Sequence, residues 1–272
     1  MLREDIELSR RRLKGLVPDA VLDDADVVVH HHAHAVWSCL TEPGDGVAGA
    51  LIEERGPVSA LRTAFDDGAA MSPSLDAGRR RWRSRLESVD DAFDRARRVR
   101  ARLVVPGGAG WPSSVADLGV HGPRALWVRG RLDSLAHGET AIALVGARAA
   151  TGYGEHVTGE LATGLAQRDI AIVSGGAYGI DGMAHRACLA AGGVTVAVLA
   201  GGVDRAYPAG HADLLGRIAA GPGAVVAEVP CGTPPTKWRF LHRKIQRVCS
   251  SGCHNRIRFI CECVQRQDRD PS

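Results

Sequence analysis

Residues 142–208 read IALVGARAATGYGEHVTGELATGLAQRDIAIVSGGAYGIDGMAHRACLAAGGVTVAVLAGGVDRAYP. Three short apolar runs, AIALVG (141–146), IAIVSGG (170–176) and VTVAVLAGG (194–202), end in glycine, and two segments with helical spacing separate them. This alternation is the pattern of an α/β fold: a Rossmann-like parallel sheet with crossover helices, whose turns at the C-terminal ends of the strands receive phosphate-bearing ligands. The runs are built from Val, Ile, Ala and Leu without polar alternation, as strands covered on both faces are. They predict strands over 141–145, 170–174, 194–199 and 224–228, with helices over residues 154–168, 181–192 and 211–220.

Each glycine turn carries its own chemistry. Gly146 ends the first run and Arg148 follows two residues later. A helix beginning near Gly152 would aim its unpaired N–H groups at the same place, and a guanidinium fork there would complete a phosphate site. The alternative is a packing turn with an exposed arginine. In the second turn, Ser174, Gly175, Gly176, Ala177 and Gly179 make a small, backbone-rich loop without the regular spacing of a dinucleotide fingerprint. Asp181 stands where it either caps the next helix or meets a ligand. His185 lies one helical turn further on the same face, so the two are expected to brace the loop rather than to form a catalytic pair. Arg205 and Tyr207 follow the third turn. Three such turns on one sheet edge form an extended strip, which suits a polyanion better than a single nucleotide. Tyr153, Tyr178 and Tyr207 are the aromatics near the turns, and with so few, binding is expected to lean on phosphates.

Outside this core the chain divides into four expected regions: a polar, irregular N-terminal extension (1–32), a small helical domain (33–100), the Rossmann-like domain (101–243) and an aberrant tail (244–272). The helical reading of 33–100 rests on AHAVWSCL, DGVAGALIEER and PVSALRTAF, with Gly56-Pro57 breaking two helices. The cluster His30, His31, His32 and His34 is followed by no matched ligand spacing, so a solvated segment is expected rather than a metal site. RRRWRSRL (79–86) and RARRVRARL (95–103) either touch a phosphate backbone or are solvated helix faces; the second is expected. The 272 residues are 45% hydrophobic and 24% charged, with a formal net charge of +3. No apolar run is long enough to span a membrane, and no cofactor is called for. A cytoplasmic location is expected.

VGARAATGYG, IVSGGAYGIDGMAH, GGVTVAVLAGGVDRAYP and AEVPCGTPPTKWRFLHR resemble successive motifs of the DprA/Smf family, the DNA-processing proteins of bacterial transformation. The resemblance covers residues 103–243, and the helical stretch around 35–66 is similar to the family's small N-terminal SAM-like domain. It implies a recombination mediator, not an enzyme, that binds single-stranded DNA, loads the RecA recombinase and acts as a homodimer. It places the family's phosphate-contacting arginine on Arg148, its glycine loop on Ser174 to Asp181 and a further motif arginine on Arg243, so that Gly146, Arg148, Ser174, Gly175, Gly176, Ala177, Gly179 and Arg243 are the expected strand-binding residues. Where the family has a basic residue and an asparagine after Tyr-Pro, this chain has Ala209 and His211. A nucleotide-binding enzyme or sensor acting on a small phosphate-bearing ligand, with Asp181 or Glu228 as acid–base group, is the alternative.

After Arg243 the family's motifs stop. Residues 244–272 contain no alanine or leucine and hold Cys249, Cys253, Cys261 and Cys263. An out-of-frame tail is the expected explanation, with a zinc site the alternative. The Rossmann-like domain is therefore expected to be incomplete at its C-terminus, to lack most of the family's dimer and RecA surfaces, and to be marginally stable.

Overall fold

The computed structural model describes residues 6–66, 72–139 and 141–241. Seven helices come first: α1 (Ile6–Leu13), α2 (Asp19–Asp23), α3 (Ala25–Leu40), α4 (Gly46–Arg55), α5 (Pro57–Phe65), α6 (Pro73–Arg83) and α7 (Val89–Arg98). Their starts are written in the sequence. Asp24 caps α3 by accepting from the amides of Asp26 and Val27, and Asp45 caps α4 through those of Val47 and Ala48. Gly56, at φ +74°, ends α4, and Pro57 opens α5.

Residues 6–32 are mostly helical, in α1, α2 and the start of α3, and not irregular as their polarity suggests. Leu13, Leu16 and Val28 are fully buried, and the Leu16 carbonyl accepts from the Leu103 amide of the sheet at 2.8 Å. The histidines lie on α3. His34 is buried, and His32 meets Ser9 Oγ and an Arg12 Nη. Among the described residues no three His, Cys, Asp or Glu side chains come together to hold a metal ion.

The second half alternates strands and helices: β1 (Arg102–Val104), β2 (Leu126–Gly130), β3 (Ile142–Ala143), α8 (Gly152–Ala166), β4 (Ile172–Ser174), α9 (Ile180–Ala190), β5 (Thr195–Leu199), α10 (Ala212–Ala220), β6 (Ala224–Ala227) and α11 (Lys237–Leu241). The sheet order is β1-β2-β6-β5-β4-β3. The strands β3 to β6 are mutually parallel, while β1 and β2 join antiparallel at the β6 side. Each parallel strand lies beside the one before it, so right-handed crossovers put α8, α9 and α10 on one face. There α8 packs on α9 and α9 on α10. The other face is covered by Leu132, Leu135 and Trp111 from connecting segments. Every position of β5 is buried, which accounts for its unbroken apolar run.

The helical half and the sheet share one core. Trp37 meets Trp82 edge-on at 5.0 Å, and Phe93 meets Trp127 of β2 edge-on at 5.8 Å. Trp127 Nε1 donates to Ser38 Oγ at 3.2 Å. Apolar side chains from α3, α7, β2, β5, β6 and α10 belong to the same buried cluster. The arginine-rich runs begin on α6 and α7 and extend past their ends; Arg79 donates to the Ala64 carbonyl, Arg85, just after α6, pairs with Glu42, and Arg95 with Asp91.

Candidate functional site

Because β3 to β6 run parallel, the turns that follow them open on one edge of the sheet. The first two turns lock into each other. A Cβ on Gly179, which sits at φ +72°, would meet the carbonyl oxygens of Ala147 and Arg148 at 2.2 and 2.5 Å; one on Gly146 would meet the Ile180 side chain at 2.7 Å. The Ile180 amide donates to the Ala147 carbonyl. These glycines let two backbones touch. Ser174 Oγ donates to the Leu144 carbonyl at 2.5 Å, tying β4 to β3.

Asp181 is buried, and its Oδ2 accepts from the amides of Gly175 at 3.1 Å and Ala177 at 3.4 Å. Those two N–H groups, expected from the sequence to meet a phosphate, are engaged in shaping the turn. His185 faces the sheet. Thr195 Oγ1 donates to the Ile172 carbonyl, so it accepts from His185 Nδ1, which lies 2.8 Å away. His211 is a further brace, to which no such role was assigned from the sequence. Its Nδ1 donates to the Gly176 carbonyl at 2.9 Å, leaving Nε2 to accept from Arg186 at 3.4 Å. The ring fills the space beside Gly182, where a Cβ would lie 2.6 Å from it. The residue stands 35 positions from its carbonyl partner, so only the Tyr-Pro-x-x-His spacing could have pointed to it.

Above these buried braces is an exposed rim. Arg148 is exposed at the first turn, and its guanidinium carbon lies 4.9 Å from the centre of the Phe240 ring. A guanidinium that stacks through its face keeps its in-plane N–H donors for an anion. The start of α8 is beside it, capped by Thr151 Oγ1 accepting from the Gly154 amide. Tyr207, from the third turn, also meets Phe240, with ring centres 5.5 Å apart. Arg186 and Arg205 are also exposed on this edge. Arg243 lies outside the described residues, as does the tail 244–272.

The segment carrying Phe240 is clamped to the helical half. Arg239 donates through Nε and Nη2 to both carboxylate oxygens of Glu42, at 2.9 and 2.7 Å, and Arg85 joins them. Burial alone would raise the Glu42 carboxyl, but the two guanidiniums outweigh it and hold it below the usual carboxylate range.

The acid–base chemistry weighed for a small ligand has little room here. Asp181 is buried behind the loop it braces. Glu228 is buried at the end of β6 on a cavity of about 10 Å³ between Ser38, Thr41 and Arg124. That is space for about one water molecule.

A mostly parallel six-stranded sheet whose first two glycine turns interlock at its C-terminal edge defines a Rossmann-like α/β protein. The signature of DNA recombination-mediator protein A matches residues 102–254, and the chain belongs to that family. The match runs past the compositional change at 243/244. The chain is 43% identical over 223 residues to a putative DNA processing protein DprA of Mycobacterium tuberculosis, covering 78% of this chain and 56% of that protein. It is 36% identical to DNA processing protein DprA of Bacillus subtilis over 49% of this chain and 43% of the relative. The chain thus spans about half the length of these curated relatives. The X-ray structure of DprA from Streptococcus pneumoniae superposes with a TM-score of 0.62 at 22% identity, over 89% of this chain and 84% of that one, and so shares its fold. No helix among the described residues is long and apolar enough to cross a membrane.

Proposed function

We propose that this chain is a single-stranded DNA-binding protein of DNA processing, not an enzyme, and that the strand lies along the C-terminal edge of β3 to β6. The exposed Arg148, held by Phe240 at the start of α8, is the observation that carries this reading. Arg148 contacts the backbone phosphates, and Arg243 is carried as a second contact from the family resemblance. Gly146, Gly179 and the Ser174–Ala177 turn shape the edge, braced by Asp181 and His185. Delivery of the coated strand to a RecA recombinase and homodimer formation belong to this proposal as properties of the longer family protein.

The test is titration of a labelled oligothymidylate with the 272-residue chain at several salt concentrations. Affinity is expected to fall by roughly 0.7 log unit per log unit of salt for each phosphate contact. Arg148→Ala should weaken binding to all sequences alike and lower that slope by about one contact. Unchanged affinity and slope would exclude Arg148 as a phosphate ligand. Saturable binding of a mononucleotide that displaces the oligonucleotide would favour the small-ligand alternative instead.

A further inference from the structure

Six large apolar or aromatic side chains are exposed among the described residues, and four of them are aromatics on this one edge. Tyr153 (66% exposed) follows β3, Tyr178 (49%) follows β4, Tyr207 (44%) follows β5 and Trp238 (72%) follows β6. They include every tyrosine the chain has, whereas Trp37, Trp82 and Trp127 are fully buried. Leaving an aromatic ring in water forfeits a large burial gain, so four exposed rings in the segments that follow four successive strands call for a reason.

The two central rings are seated, not loose. Tyr178 packs edge-on against His211 at 4.8 Å. Its hydroxyl occupies the space beside Gly210, where any Cβ would lie 2.5 Å away. Tyr207 leans on Phe240, which in turn carries Arg148. A ring fixed from below and open above is a stacking platform, and one per turn makes a track. Exposed guanidiniums at Arg148 and Arg205 lie on the same turns, with Arg186 exposed on α9 beside His211, which supplies the charge for a backbone beside the bases.

We propose that Tyr153, Tyr178, Tyr207 and Trp238 stack the bases of the bound strand, so that unpaired bases, and not phosphates alone, carry affinity. This rests on the strand reading above and reverses the expectation that binding leans on phosphates. It implies preference for single strands over duplex, whose bases are already stacked, with tolerance of sequence because every base has a π face.

The test compares an oligothymidylate with an abasic oligodeoxyribose phosphate of the same length and charge, titrated with the full chain. The thymidylate is expected to bind at least tenfold more tightly. Tyr178→Leu and Trp238→Leu should each remove roughly five- to a hundredfold of that difference, with abasic binding unchanged and Tyr178→Phe retaining wild-type affinity. Binding should also quench tryptophan fluorescence, and Trp238→Phe should abolish the quench. Equal affinity for the two oligomers would overturn the stacking role while leaving the Arg148 phosphate reading intact. Binding of neither would overturn both.

Discussion

The edge of the sheet has an inner layer and an outer one, built on opposite rules. Inside, Gly146, Gly179, Ser174 and Asp181 are packed so closely that added atoms have nowhere to go. Outside, Arg148 and the four aromatics stand in water. The glycine loop, which in sequence resembles the ligand site itself, is tightly packed, and in the proposed reading the ligand-facing groups are the larger residues placed between the glycines. Inner-layer changes should therefore cost stability, and outer-layer changes should cost binding.

The largest effect is expected for Gly179→Ala. Its Cβ would overlap two carbonyl oxygens in a backbone conformation that L-residues avoid, so a loss of about 3 kcal/mol or more is expected, seen as a collapse of the thermal midpoint. Asp181→Ala removes the carboxylate acceptor of two buried amides and should cost about 2–4 kcal/mol in a denaturant titration. A binding defect at full stability in either variant would invert the layer assignment.

Acid should expose the difference between the two halves of the chain. Burial, followed by the Arg12 charge and against the pull of Asp90, lowers the pKa of His32 to about 4; burial, with His30 adding to it, lowers that of His34 to about 3. The unfolded chain takes up these protons near the ordinary 6.5, so the unfolded state holds more protons below that pH. The stabilisation is full above pH 6.5 and is lost as the pH falls toward 4 and then 3. Glu42, held below its usual range, loses its contribution in the acid direction too. The thermal midpoint should drop by many degrees between pH 7 and 4, and His32→Gln should flatten that slope.

A smaller loss, about 1 kcal/mol, is expected for Glu42→Gln, because the Arg239 clamp is partly solvated, and it should shrink at high salt. The smallest is Tyr178→Leu, whose midpoint should move by no more than about 0.5 kcal/mol equivalent. A large shift there would make that tyrosine part of the scaffold and remove it from the rim.

The sheet was legible because β3, β4 and β5 are continuous apolar runs closed by glycine, a pattern with few other solutions. The break at Gly56-Pro57 was local and equally readable. Helices α1 and α2 were not, since their charged surface outweighs a few buried leucines whose partners lie on α3 and in β1. In the site, Arg148 was readable as the charge at a strand end. His211 was hidden because it reaches across from another crossover. Trp238 was hidden because a lone aromatic outside any periodic segment carries no sign of its exposure.

The tryptophan contacts between α3, α6, α7 and β2 have a consequence for modularity. Trp127 reaches from the sheet into the helical half, and Phe93 reaches back. A cut anywhere between 99 and 125 would leave each piece with half of an apolar interior open to water. The helices are thus not a detachable appendage that could be grafted onto another nucleotide fold; they are the second wall of the room that the sheet begins.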